Sequence, residues 1–299
     1  MEPGGQAPRD EHAPAGGASA SHGPSVSDIF PPYEPGDEPR RRRFKAVPLR
    51  VLLPNLVTLM SLCAGLTAIR LGMEGDDKLD KAVIAILVAA VLDGLDGRIA
   101  RLLKATSRFG AELDSLADFV SFGVAPGFLL YMHGLHDLSS FGWIVTLVFA
   151  MACALRLARF NVMIDDPNRP DWQKNFFVGM PAPAGALTAL LPLYLHLLGM
   201  SRPTGFGLIE ACYVLFIALM MVSRIPTYAG KTLGSRVPRE WVVPLLLGVA
   251  LFVALLVIHT FAVLAAITIL YLALIPMGVS KYRARLRLDR APATTQPHA

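Results

Sequence analysis

Eight apolar stretches, set apart by short polar connections, fill the chain between residues 50 and 279. A run of roughly 17 to 25 apolar residues is what a helix needs to cross about 30 Å of hydrocarbon. Inside a bilayer the backbone must satisfy its own hydrogen bonds, so such a chain folds as helices. The spacing predicts spans over residues 50–72, 79–104, 111–133, 140–163, 179–199, 206–225, 241–258 and 260–279. Composition agrees: 54% of the 299 residues are hydrophobic, and the mean hydropathy is +0.49, above the usual range for soluble domains. The expected fold is an all-α, polytopic membrane helix bundle of about eight transmembrane helices.

The connections alternate in charge. Most Arg and Lys lie before the first span, in the 98–108 turn, in the 156–174 and 224–239 loops and in the 281–290 segment, whereas the Gly75 to Asp80 connection is acidic. The positive-inside rule then places both termini in the cytoplasm, as an even number of spans requires, with the cell (inner) membrane as the location. Residues 1–39 are rich in Pro, Gly, Ala and Ser, with little apolar periodicity. They are expected to be a disordered cytoplasmic tail, followed by a membrane domain over 40–280 and a basic tail over 281–299. The run Arg40, Arg41, Arg42, Arg43 and Lys45 reads as a lipid-surface anchor rather than a nucleic-acid site. Cys63, Cys153 and Cys212 lie inside apolar stretches at no zinc-like spacing, and His133, His136, His196 and His259 fall near span ends as expected packing or interfacial residues.

Four aspartates interrupt this pattern. Asp93, Asp96, Asp114 and Asp118 lie in VLDGLDGRIARLLKATSRFGAELDSLADFVSFG, within the second and third apolar stretches. An acidic side chain in mid-span costs about 2.5–3.5 kcal/mol, less toward its ends, so four together call for a compensating partner. Asp93, Asp96, Gly97, Ala100 and Arg101 share one helical face, and Gly110, Asp114 and Asp118 repeat every four residues. A short turn near 104–109 makes the two helices antiparallel, so the four carboxylates are expected at one depth. Converging carboxylates repel unless a cation intervenes, and oxygen ligands select Mg²⁺, Mn²⁺ or Ca²⁺. Four carboxylates suit two ions, an arrangement that stabilises attacking and leaving oxygens in phosphoryl displacement. Gly97 and Gly110 would let a headgroup approach the backbone, with Arg101 and Ser107 placed to touch phosphate.

At these residues the sequence resembles the CDP-alcohol phosphatidyltransferase family, whose signature D-x2-D-G-x2-A-R-x8-G-x3-D-x3-D is matched by Asp93, Asp96, Gly97, Ala100, Arg101, Gly110, Asp114 and Asp118. The resemblance implies an enzyme with two divalent ions, Mg²⁺ or Mn²⁺, in which Asp93 and Asp114 bridge both metals and Asp96 binds one. Asp118 would bind the other and act as the catalytic general base. It further implies that Gly97, Arg101 and Ser107 contact the CDP-lipid, joined by Asn55 and Thr58 of the PNLVT stretch, and that the protein pairs as a homodimer.

The acceptor alcohol has weaker signals. SFGVAPG, LRLARFNV, FVGMPAPAG and IPTYAGK resemble the phosphatidylserine synthase branch of the family. Arg156 and Arg159 sit at a helix end where a guanidinium can pair with the serine carboxylate, with Ser121 and Asn161 as further polar candidates. The expected partners are CDP-diacylglycerol, L-serine and membrane lipids. In the reaction so implied, Asp118 takes the proton of the serine hydroxyl and the alkoxide displaces CMP from the β-phosphorus. Two alternatives stay open: another acceptor (glycerol 3-phosphate, inositol phosphate or choline), and an intramembrane cation transporter using the same aspartates.

Overall fold

The computed structural model describes residues 49–105, 107–164, 176–203, 205–223, 226–228 and 239–290. The N-terminal tail, the basic run before the first span and residues 291–299 lie outside the described residues.

The first helix, α1 (Leu49–Met73), and the second, α2 (Leu79–Leu102), form an antiparallel hairpin through a short 3-10 turn, Asp76–Lys78. Ser61 of α1 donates to the carbonyl of Ala89 on α2 at 2.9 Å. Buried Ala68, Ala82, Val83, Ile86 and Ala89 supply the small and branched surfaces by which the two helices approach. The chain turns after α2 at Leu103–Ala105, where Lys104 takes a positive φ of 48°, a left-handed conformation that ends α2 sharply.

Helix α3 (Arg108–Asp118) begins there, capped by Ser107, whose hydroxyl accepts from the Gly110 backbone N–H at 3.0 Å. It runs without a break through a π-helical segment, Phe119–Val124, into α4 (Ala125–His133). After a 3-10 turn at Leu135–Leu138 comes α5 (Ser140–Ile164). Two short helices come next, α6 (Ala182–Ala189) and α7 (Leu191–Leu197), then α8 (Phe206–Val222), α9 (Arg239–Ile258) and α10 (Thr260–Arg290).

Five helical stretches are long and apolar enough to cross a membrane, Leu52–Met73, Arg108–His133, Ser140–Met163, Glu240–Ile258 and Thr260–Gly278, and the apolar helix Phe206–Val222 is shorter. With α2, which has the length but also carries charged residues, they make the polytopic helical bundle that the hydropathy pattern predicts. The expected single span over 179–199 is the exception. It is divided at Leu190, just before Pro192. Proline has no N–H for the carbonyl four residues back, which here is Thr188. The Tyr213 hydroxyl of α8 donates to that carbonyl at 2.7 Å, and Tyr194 donates to the Leu187 carbonyl at 2.8 Å. Apolar surroundings tolerate a broken helix where side chains take up the freed backbone groups in this way.

Among the described residues one element is not helical: Phe176–Val178 (β1) and Pro226–Tyr228 (β2) pair antiparallel, with Phe177 opposite Thr227. The last helix, α10, crosses over Thr260–Gly278, close to the expected 260–279, and stays helical to Arg290. The core gathers between α2, the π segment, α5, α6, α7 and α8, with Phe122, Phe149, Leu129, Met180, Leu193 and Tyr194 fully buried. By contrast α9 exposes nearly every side chain, Trp241 at 65% and Leu247 at 66% among them, as a helix surrounded by lipid does.

Candidate active site

The helix α2 and the α3 segment run antiparallel, so residues counted back from the turn after α2 meet at matching depth. Asp93, Asp114 and Asp118 converge there: one carboxylate oxygen from each lies within 4.8 Å of the others, and all three side chains are partly buried. Among the described residues none of the four aspartates forms an ion pair. Arg156, reaching across from α5, is near enough to Asp93 and Asp118 to interact with both electrostatically, and its guanidinium also lies 5.2 Å from the Phe160 ring centre. One guanidinium thus faces three carboxyl groups. An all-oxygen donor set of this kind, held together by three backbone positions, fits a hard divalent cation.

Asp96 departs from the expected four-way convergence. It is 5% exposed, stands outside the group of three, and accepts a hydrogen bond from the Thr58 hydroxyl at 2.8 Å. Thr58, expected at the CDP-lipid, holds Asp96 from α1 and, though only 4% exposed, lines the same cavity as Asn55 and Gly97. Asp96 nonetheless faces the same space as Asp114, across a cavity of about 280 Å³ that opens between α1, α2 and the start of α3.

That cavity gathers the remaining residues predicted to meet the CDP-lipid. Asn55, Gly97, Arg101, Ser107 and Gly110 all line it. The two glycines serve it differently. A Cβ on Gly110 would stand 2.9 Å from Asn55 Oδ1 and 3.1 Å from Ser107 Oγ, so the bare backbone lets α1 and the α3 cap close on each other. A Cβ on Gly97 would meet no protein atom within 4 Å. Nothing in the fold requires glycine at 97, and alanine is the better helix former by up to about 1 kcal/mol. The Gly97→Ala variant is thus expected to be as thermally stable as the native protein or more so, while its KM for a CDP-activated lipid rises about tenfold from a methyl group projecting into the cavity. Equal KM values would mean that ligand does not pass over this face.

The acceptor candidates separate. Arg156 alone faces the carboxylates. Arg159 instead donates to the Val222 carbonyl at the end of α8. Asn161 donates to Ser115 Oγ at 2.8 Å, joining α5 to α3. Ser121 is fully buried, donates to the Ser61 carbonyl at 3.3 Å, and packs where a Cβ on Gly65 would meet its Oγ at 2.5 Å. These three side chains tie helices together around the site.

The π-helical segment begins at the residue after Asp118. A π turn widens the helix and shifts the phase of the residues beyond it, and such segments recur at functional sites. Here the shift turns Ser121, Phe122 and Gly123 into the core while Asp114 and Asp118, one turn earlier, keep their orientation toward Asp93. Apolar periodicity alone does not mark it.

Comparison with known proteins gives the same direction. Residues 51–223 match the model of the CDP-alcohol phosphatidyltransferase family, and residues 240–276 match a second model described as CDP-alcohol phosphatidyltransferase 2. The chain is 40% identical over 250 residues to the CDP-diacylglycerol–serine O-phosphatidyltransferase of Mycobacterium leprae, covering 82% of this chain and 79% of that protein. It is 41% identical over 246 residues to the enzyme of that name from Mycobacterium tuberculosis, covering 82% and 83%. A protein of the same name from Helicobacter pylori is 32% identical over 228 residues, covering 74% of this chain and 88% of the relative.

Proposed function

The chain belongs to the CDP-alcohol phosphatidyltransferase family, and from that premise we propose that it transfers the phosphatidyl group of CDP-diacylglycerol to L-serine, giving phosphatidylserine and CMP. The observation that carries this reading is the likeness, over most of the chain, to relatives named for that reaction. It is supported by the three converging carboxylates beside a cavity large enough for part of a nucleotide headgroup.

Asp93, Asp114 and Asp118, with Asp96 at the edge of the cavity, would hold two divalent ions, Mg²⁺ or Mn²⁺. Those ions, when bound, supply positive charge to the attacking and leaving oxygens of a phosphoryl displacement. The chain's own residues do the rest. Thr58 fixes the Asp96 carboxylate; Asn55, Gly97, Arg101, Ser107 and Gly110 receive the cytidine diphosphate portion, and the acyl chains stay among the helices. Arg156, rather than Arg159, Asn161 or Ser121, pairs with the carboxylate of serine, because its guanidinium faces Asp118.

Asp118 takes the proton of the serine hydroxyl. A bond forms between the serine oxygen and the β-phosphorus, the bond from that phosphorus to the bridging oxygen breaks, and CMP leaves with the electron pair. Serine and CMP are water-soluble, so the reaction belongs at the cytoplasmic end of the bundle, with both termini on that side of the cell membrane. A pair of chains in the membrane is the proposed assembly.

The test is an incubation of detergent-solubilised protein with CDP-diacylglycerol, Mg²⁺ or Mn²⁺, and labelled L-serine in competition with glycerol 3-phosphate, inositol phosphate and choline. Labelled phosphatidylserine and CMP are expected in equal amounts, lost with EDTA and restored by either metal. Preferential use of glycerol 3-phosphate would keep the family chemistry and reject serine. Cation flux through proteoliposomes without any CDP-lipid would favour a transporter.

A further inference from the structure

The last helix is more than a lipid-facing anchor. Whereas α9 is exposed along nearly its whole length, α10 turns one face inward. Leu264, Ala265 and Thr268 are buried there, and Phe261, Tyr271 and Leu272 pack beside them. That face lies against α7 and the backbone of β2. The Tyr271 hydroxyl oxygen is buried; a phenol so placed packs its ring among apolar side chains and carries one polar atom into them.

Arg156 stands at the same depth. Arg156 and Tyr271 each lie about two turns, or about 10 Å, before the ends of their spans at Met163 and Gly278. Both ends are on the side of the strand pair. Arg159, on the next turn of α5, donates to the Val222 carbonyl at the end of α8, and β2 follows α8 and packs on α10. Tyr271 is near enough to the Arg156 guanidinium to interact with it electrostatically, as Asp93 and Asp118 do. Among the described residues that guanidinium forms no ion pair.

On the reading that serine is the acceptor, we propose that Tyr271 is a positioning residue for its recognition: the phenolic oxygen holds the Arg156 guanidinium off Asp118 and leaves it open to the acceptor's carboxylate. A guanidinium has five N–H donors and no acceptor. One donor can therefore be held by the phenolic lone pair while two others of its fork stay available to a carboxylate. Without that hold, two nearby carboxylates draw Arg156 into an ion pair with Asp118. Such a pair would occupy at once the group that takes the serine proton and the group that binds serine. Tyr271 thus gives the last helix a part in the choice of acceptor, although it is distant in sequence from every residue assigned to the site above.

The native full-length chain and Tyr271→Phe, which removes only the phenolic oxygen, would be compared by CMP release with L-serine and CDP-diacylglycerol varied in turn. The KM for serine is expected to rise about tenfold, with the KM for CDP-diacylglycerol and the unfolding midpoint unchanged. In an Arg156→Lys background the same change should raise the serine KM by no more than about twofold, since both substitutions act through one group. Leu272→Ala supplies the contrast of lost packing on the same face: a lower unfolding midpoint with the native KM for serine. An unmoved serine KM in Tyr271→Phe, or a KM for CDP-diacylglycerol that rises in step with it, would overturn the proposal. So would a full tenfold rise in the Arg156→Lys background; if that background is inactive, the split between the two KM values in Tyr271→Phe decides. A native chain that releases CMP with another alcohol and not with serine would overturn the acceptor assignment and this inference together, whereas serine transfer with an unmoved KM in Tyr271→Phe overturns the inference alone.

Discussion

Asp118→Asn is expected to lower turnover at least about a thousandfold, within the range that loss of a positioned proton acceptor and of a charged ligand produces, without destabilising the metal-free protein. Both effects have the same geometric origin. One carboxylate oxygen from each of Asp93, Asp114 and Asp118 lies within 4.8 Å of the other two, and carboxylates that close repel when ionised with no cation between them. Replacing one by an amide of the same shape relieves that repulsion, so the variant's unfolding midpoint in EDTA should equal or exceed the native value. In Mg²⁺ the order should reverse, because a ligand that binds only the folded state stabilises in proportion to its affinity, and the variant binds it less well. Asp93→Asn should behave alike. If the aspartates were instead structural, pinning α2 to α3 through ion pairs, the variant would be less stable in EDTA as well. Differential scanning fluorimetry with and without EDTA, beside a CMP-release assay, separates the two cases.

How much of this is legible in the sequence depends on what each feature needs. The pairing of α2 with α3 requires only a helical period and a short turn, so counting alone brings Asp93, Asp114 and Asp118 together. Asp96, expected to join them, does so only across the cavity, because its partner is Thr58 on α1, 38 residues away, and no periodicity within α2 reports that contact. The span over 179–199 reads as one apolar run, since hydropathy averages over Pro192. Its division depends on hydroxyls from Tyr194 and from Tyr213 of α8. Proximity in sequence and polarity group Arg159, Asn161 and Ser121 with Arg156, yet only Arg156 faces the carboxylates. Which side of a helix meets a cavity is a tertiary fact, and the π segment after Asp118 changes that side within a single helix. The approach of Tyr271 to Arg156 joins distant parts of the chain and has no local signature at all.

Glu210 has a signal that the same reasoning can catch, an acidic residue inside the apolar stretch of α8, and it carries the second large effect. Arg202→Ala is expected to cost about 3–5 kcal/mol of stability, the usual penalty for leaving one member of a buried pair without the other. The Glu210 side chain is wholly buried, that of Arg202 is 23% exposed, and they meet at 2.9 Å. The guanidinium also donates to the His133 carbonyl at the end of α4, so it binds the loop before α8 to the neighbouring helix. Removing it leaves a carboxylate among apolar side chains, its other oxygen already without a hydrogen-bond partner among the described residues. The remedy distinguishes burial cost from lost packing. A double variant, Arg202→Met with Glu210→Leu, removes both charges and should recover most of the loss, falling short by about 1 kcal/mol for the unsatisfied His133 carbonyl. Both proteins, assayed well below their unfolding midpoints, should release CMP at the native rate, because the aspartate cluster lies at the other end of the helices. Equal destabilisation of the single and double variants in thermal unfolding would show that the Arg202 side chain acts through packing, with the charge on Glu210 of no account.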